Sequence, residues 1–206
     1  QASSGENFTL FLKDDGSVWA TGNNNFGQLG DGTVNSRSSP ARIVESGASY
    51  VYAGYQHSIV VMKDGRLLTF GKNYFGQLGI SGDEPFSKTP RQIAGLNVVE
   101  GGVGNASTYL IDENGSLWAF GNDDNGRLGA GSPKQHQSIP GKVVEANVTK
   151  VKGGSNFAMF LKSDGTLYGM GSSNNGQLGA NAASDNILPV SVASNVVSFA
   201  LGHAHS

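Results

Sequence analysis

Four histidines offer the first candidates for acid–base or metal chemistry: His57, His136, His203 and His205. His203 and His205 flank a single alanine, so on an extended strand both would project from one face as alternate metal ligands. His205-Ser206 nevertheless repeats His57-Ser58 of an internal landmark, which marks a framework histidine near a strand end. Asp123 and Asp124 in "GNDDNG" pair two carboxylates. A calcium loop spaces its acidic and amide ligands alternately and closes with a distal bidentate Glu. The pair occurs in one of four copies of this motif, and the reading is solvated turn residues. Gly22 and Gly27 have the outer spacing of a phosphate-binding loop, which needs Lys and then Ser or Thr after the second glycine. The residues there are Gln28-Leu29, or Arg127-Leu128 in another copy. G-x-S-x-G is absent, and the absence of cysteine excludes thiolate zinc sites and thiol catalysis. No catalytic residue, metal or cofactor is expected, and the chain is read as non-enzymatic.

The glycine spacing has another origin. "GNNNFGQLG" at Gly22 recurs as "GKNYFGQLG" at Gly71, "GNDDNGRLG" at Gly121 and "GSSNNGQLG" at Gly171, in steps of 49, 50 and 50 residues. Two further landmarks keep this phase. An Asp-Gly or Asn-Gly pair with an apolar strand precedes each loop, as "DGSVWATG", "DGRLLTFG", "NGSLWAFG" and "DGTLYGMG". Pro40, Pro90, Pro140 and Pro189 follow. The runs "TLFLK", "IVVMK", "TYLID" and "AMFLK" are continuously apolar, the pattern of a strand covered on both faces. The Asp-Gly or Asn-Gly pair is expected to form a type I′ hairpin turn. Each unit thus holds about four short strands and no helical period. Such a unit cannot stand alone, and stacking it radially gives a β-propeller of four-stranded antiparallel blades. The repeats run over about 1–49, 50–99, 100–149 and 150–199, with a fifth starting at 200–206. Gly22, Gly27, Gly30, Gly71, Gly76, Gly79, Gly121, Gly126, Gly129, Gly171, Gly176 and Gly179 are read as backbone architecture, with Leu29, Leu78, Leu128 and Leu178 anchoring the loops between blades.

Composition narrows the partners. Fourteen basic and sixteen acidic residues leave a net charge of -2. A sequence-independent grip on phosphates or a polybasic membrane patch needs clustered Lys and Arg, so neither nucleic acid nor membrane insertion is expected. The sequons at Asn7, Asn105, Asn114 and Asn147 decide nothing about compartment.

The full cycle, seen most plainly in "GYQHSIVVMKDGRLLTFGKNYFGQLG" from Gly54 to Gly79, resembles the repeat of the regulator of chromosome condensation family. The resemblance spans the whole chain. It implies a seven-bladed propeller with roughly 50 residues per blade, so the four repeats form a partial ring or part of such a propeller, completed by further blades or by self-association. Family roles include nucleotide exchange on the small GTPase Ran, chromatin docking, ubiquitin-ligase scaffolding and ultraviolet-B sensing in plants. The exchange factor carries an inserted β-wedge, for which the even steps leave no room. The photoreceptor's "GWRHT" is replaced by "GYQHS", the only tryptophans, Trp19 and Trp118, lie in strands, and no basic tail is visible.

In a repeat frame the variable loops bind. They read "DGTVNSRSS", "ISGDEPFSKT", "AGSPKQHQSI" and "ANAASDNIL". Arg37, Asp83, Glu84, Phe86, Lys134, His136 and Asp185 are the candidate partner-binding residues, with Phe86 the aromatic anchor. The expected function is a protein-interaction scaffold in a surface-exposed or secreted bacterial assembly. The alternatives are a regulator of a Ran-type GTPase and a glycan-binding propeller.

Overall fold

The structure, a computed structural model, describes residues 1–131, 136–179 and 185–206. Among these residues sixteen strands form four sheets, each an antiparallel meander in sequence order. The first blade holds β1 (Ala2–Ser4), β2 (Phe8–Leu12), β3 (Val18–Gly22) and β4 (Arg37–Val44), and the second β5 (Ala48–Ala53), β6 (His57–Met62), β7 (Leu67–Lys72) and β8 (Phe86–Ile93). The third holds β9 (Val98–Val103), β10 (Ser107–Asp112), β11 (Leu117–Gly121) and β12 (Gln137–Val144), and the fourth β13 (Val148–Gly153), β14 (Phe157–Lys162), β15 (Leu167–Gly171) and β16 (Asn186–Ala193). The first strands of successive blades touch one another, so they form the inner wall of a propeller. Among the described residues no helix is long and apolar enough to cross a membrane.

The apolar runs become the second strands. Every residue of β6 and β10 is buried, and all but the last of β14. β2 instead shows partly exposed positions, because no described blade covers its outer side. The core accordingly lies between blades. Leu29 packs with Val51, Val60 and Phe70 of the second blade, Leu78 with Leu110 and Phe120 of the third, and Leu128 with Ala158, Phe160 and Met170 of the fourth.

The hairpin between second and third strands differs from the expected type I′ turn. Gly16 N–H donates to Lys13 O and Lys13 N–H to Ser17 O, leaving a three-residue loop. Gly16 alone has positive φ, at 77°, whereas a type I′ turn needs two such residues. The loop is a type I turn closed by a left-handed glycine. Asp15 accepts the Ser17 N–H at 2.9 Å, which stabilises this form. Gly65, Gly115 and Gly165 repeat it, each donating to the residue three before.

A second device joins blade to blade. Ser58 Oγ donates to Gln28 O at 2.7 Å and Thr108 Oγ1 to Gln77 O at 2.8 Å, so each second strand satisfies a carbonyl in the preceding blade's glycine loop. Ala158 stands at this position in the fourth blade, and the Arg127 carbonyl is satisfied from within the third blade instead, by Tyr109 Oη donating at 2.9 Å. Both partners are buried. Tyr109→Phe is therefore expected to cost about 1–2 kcal/mol through an orphaned carbonyl. Adding Ala158→Ser should return part of that loss in urea denaturation. No recovery in the double variant would show that the two hydroxyl positions are not interchangeable.

Residues 196–206 repeat the entry into a blade. Val196 N–H donates to Gly165 O as Val98 N–H does to Gly65 O, and Gly202 N–H donates to His205 O as Gly54 N–H does to His57 O. Ser206 Oγ donates to Gln177 O at 2.7 Å. His205 is thus placed as the repeat equivalent of His57.

Candidate interaction face

The connections from first to second strand and from third to fourth strand emerge at one end of every blade, here called the loop face. The glycine loop is held there by its third residue. Asn24 Oδ1 accepts the Leu29 N–H at 2.9 Å, and its Nδ2 donates to Asp31 Oδ1 at 3.0 Å and Thr33 O at 3.1 Å. Asn73 does the same, accepting from Leu78 and donating to Glu84 O at 2.9 Å. One amide therefore pins both the glycine loop and the variable loop that follows.

The third blade places Asp123 at this position. Its Oδ1 accepts the Leu128 N–H at 2.8 Å, but Oδ2 is buried without a partner among the described residues. Burial pushes this carboxyl above its ordinary value, against the lowering effect of the Leu128 N–H and of Arg127. A carboxyl raised on folding holds its proton better in the native state, so stability falls as pH rises above the unfolded value of about 3.9. Asp123→Asn is expected to gain about 1 kcal/mol at pH 7, shrinking toward zero near pH 3.5. Denaturation at the two pH values checks this. Arg127 replaces the Gln of the other copies and is also buried, donating from Nε to Asp124 O and from Nη1 to Ser155 O of the fourth blade.

The candidate residues fall into separate places on this face. Arg37 opens β4 and is ion-paired to Asp31. Burial alone would raise the Asp31 carboxyl, but Arg37, Thr33 and Asn24 outweigh it and hold it at about 2. Asp185 accepts from Asn125 Nδ2 at 2.8 Å across the third and fourth blades. Asp83, Glu84 and His136 come together with Tyr74 and Phe75 around a cleft of about 470 Å3. Phe86 was expected in a loop. It is the half-buried first residue of β8, paired with Lys72, because the strand starts before the proline. Lys134 lies outside the described residues.

The aromatics of the loop face went unrecognised in the sequence. Tyr74 is 57% and Tyr55 41% exposed. Phe26 of the first blade meets Tyr74 of the second edge-on at 5.9 Å, and Phe75 meets His136 of the third at 4.8 Å. Lys72 Nζ lies 4.8 Å from the Phe26 ring centre and 5.0 Å from that of Tyr74, donating to Gln56 Oε1 at 2.9 Å. Gln56 Nε2 donates to Glu6 at 2.8 Å, and Glu6 also accepts from the Tyr55 hydroxyl. For Phe26 and Phe75 the signal available was an aromatic at two of the four copies of a position otherwise filled by Asn, whereas Tyr74 and Tyr55 are each aromatic in one copy alone. Trp19 and Trp118 lie in β3 and β11, with Lys13 and Lys142 over their rings at 4.0 and 5.1 Å. Among the described residues no group of three or more His, Asp or Glu is arranged to hold a metal.

The blade joints and glycine loops are those of a known repeat: a sequence model of the regulator of chromosome condensation (RCC1) repeat matches residues 15–61, 64–111, 114–161 and 164–206. The chain belongs to the RCC1 repeat family. The first three matched RCC1 units each start at a hairpin turn and end in the second strand of the next blade, so the sequence repeat straddles two blades; the fourth starts at the same turn and runs to residue 206, past the last strand. The human E3 ubiquitin-protein ligase HERC2 is 35% identical over 96 residues, which is 45% of this chain and 2% of HERC2. Mouse protein RCC2 is 38% identical over 95 residues, 45% of this chain and 18% of RCC2. Yeast RCC1 (Prp20), solved bound to Kap60, superposes with a TM-score of 0.83 at 22% identity, covering 94% of this chain and 48% of that one. Human WBSCR16 gives 0.80 at 20% identity, covering 93% and 51%. The chain spans about half the length of these two solved chains, and the likeness to them concerns the fold.

Proposed function

We propose that the protein is a non-enzymatic interaction module whose loop face engages a protein partner. The observation that carries this reading is the pair of exposed tyrosines, Tyr55 and Tyr74, held by the Glu6–Gln56–Lys72 network at the blade edge. Interface hot spots favour tyrosine held in place before binding, since little side-chain freedom is then lost. Tyr55→Ala with Tyr74→Ala is expected to leave the melting temperature within the range of surface changes while weakening a partner by tenfold or more. The control is Lys63→Ala in a hairpin at the opposite end of the second blade, which should leave binding intact. Equal binding by the tyrosine variant would move the interface off this face.

The exchange-factor reading draws on the likeness to yeast Prp20p, a structure reported with its binding properties to Gsp1p and histones. That likeness concerns the fold. Further blades beside the fourth blade remain part of the proposal, since Leu178, Val192 and Phe199 there form an apolar cluster like those between the other blades.

A further inference from the structure

The joint between first and second blades shows what the loop face can hold. There an ammonium, that of Lys72, rests between the rings of Phe26 and Tyr74 with one hydrogen bond, to Gln56. A cation over aromatic faces is attracted by their quadrupoles, more strongly when partly desolvated. The chain itself supplies that cation.

The next joint has the same backbone and different occupants. Phe75 repeats the position of Phe26, but the positions of Lys72, Tyr74 and Gln56 are taken in the third blade by Asn122, Asp124 and Ala106. Asn122 donates to Asp124 Oδ2 at 3.1 Å and carries no charge. Beside it opens the cleft of about 470 Å3 walled by Tyr74, Phe75 and His136. Asp83 and Glu84 line it as well, and no Lys or Arg does so among the described residues. Glu84 reaches Arg91 at 3.3 Å, with both side chains about half exposed, so that pair is weak and exchangeable. Asp83 makes no ion pair among the described residues.

We propose that this cleft receives a basic side chain, with arginine preferred, from a partner polypeptide. A guanidinium stacks on the Tyr74 and Phe75 rings while its fork of donors faces the Asp83 and Glu84 carboxylates, a combination the point charge of lysine matches less well. The inference rests on the protein-interaction reading of this face and supplies the chemistry of what it binds.

The test uses the 206-residue protein, isotope-labelled, and four blocked pentapeptides of sequence Gly-Ser-X-Ser-Gly with X as Arg, Lys, Glu or Leu. The readout is the shift of backbone amides at 74–76 and 82–84. The Arg peptide is expected to move these amides and the Glu peptide to leave them unmoved. Asp83→Asn with Glu84→Gln, both exposed and expected to fold normally, should weaken the Arg peptide about tenfold and remove its salt dependence. Unchanged Arg binding in that variant overturns the proposal. So does preferential movement of the same amides by the Glu or Leu peptide, although the face would remain an interaction surface of other chemistry. If the Arg peptide moves no amide at 74–76 or 82–84, the cleft assignment falls. The binding reading falls separately, by the tyrosine variant that leaves partner affinity unchanged.

Discussion

Replacing Gly76 with alanine is expected to cost about 3–5 kcal/mol, while the same change at Gly176 costs about 1 kcal/mol. The two glycines occupy one motif position and have nearly the same backbone, with φ of 76° and 72°. The strain of a left-handed alanine is therefore common to both, about 1 kcal/mol. They differ in what a side chain would meet. A β-carbon at Gly76 would lie 2.5 Å from Ser138 Cα of the next blade, and backbone cannot yield as a flexible side chain can. At Gly176 no atom of the described residues lies within 4 Å. Gly27 and Gly126 match Gly76, at 2.5 Å from Lys88 Cα and Ile187 Cα. Urea denaturation of the two variants gives the difference directly. Equal losses would mean that the fourth blade's outer side is covered as closely as the others.

His57→Phe is expected to remove the steepest part of the acid limb of stability. His57 is fully buried, and burial lowers its pKa from 6.5 to about 4. Its Nε2 lies 3.1 Å from Thr108 Oγ1. Because that hydroxyl donates onward to Gln77 O, the imidazole must donate to it from Nε2 and leave Nδ1 bare. Nδ1 is buried without a partner among the described residues and packs against Gly54, where a β-carbon would sit 2.5 Å from it. A second proton therefore has no acceptor. With the folded value depressed, the unfolded chain binds the proton first. The full stability is present above about pH 6.5 and about 3 kcal/mol of it is lost as pH falls to about 4. Phe8 and Phe157 fill the equivalent positions, so phenylalanine fits this site in outline. The variant should lose about 1 kcal/mol at pH 7 with the Thr108 hydrogen bond, yet exceed the parent near pH 4. Curves of stability against pH that stay parallel would show that His57 does not titrate in this window.

Much of this was legible because a repeat states its structure several times over. Glycines in register at four copies, the apolar second strands and the in-phase prolines each occur too often for local accident, and together they specify stacked four-stranded units. Where a single feature had to be read locally, the reading went astray. The Asp-Gly pair is compatible with two hairpin loops, and the choice was made by Asp15 and its equivalents accepting an N–H two residues on. Phe86 read as a loop anchor because its neighbours are polar, whereas the backbone ladder to Lys72 draws it into a strand.

The candidate site followed the same division. Asp83, Glu84 and His136 were identifiable as variable-loop residues, but nothing in one dimension says that Glu84 and His136, fifty-two positions apart, border one cleft with Phe75. Tyr74, Phe26 and Lys72 were hidden inside a motif read as pure architecture. By itself the sequence determined the repeat, the family and the glycine frame, because these depend on local backbone conformation and on periodic burial. Only the tertiary structure decided which side chains meet. Each blade joint brings together residues about fifty positions apart, and the identity of a contact there depends on two copies of the repeat at once.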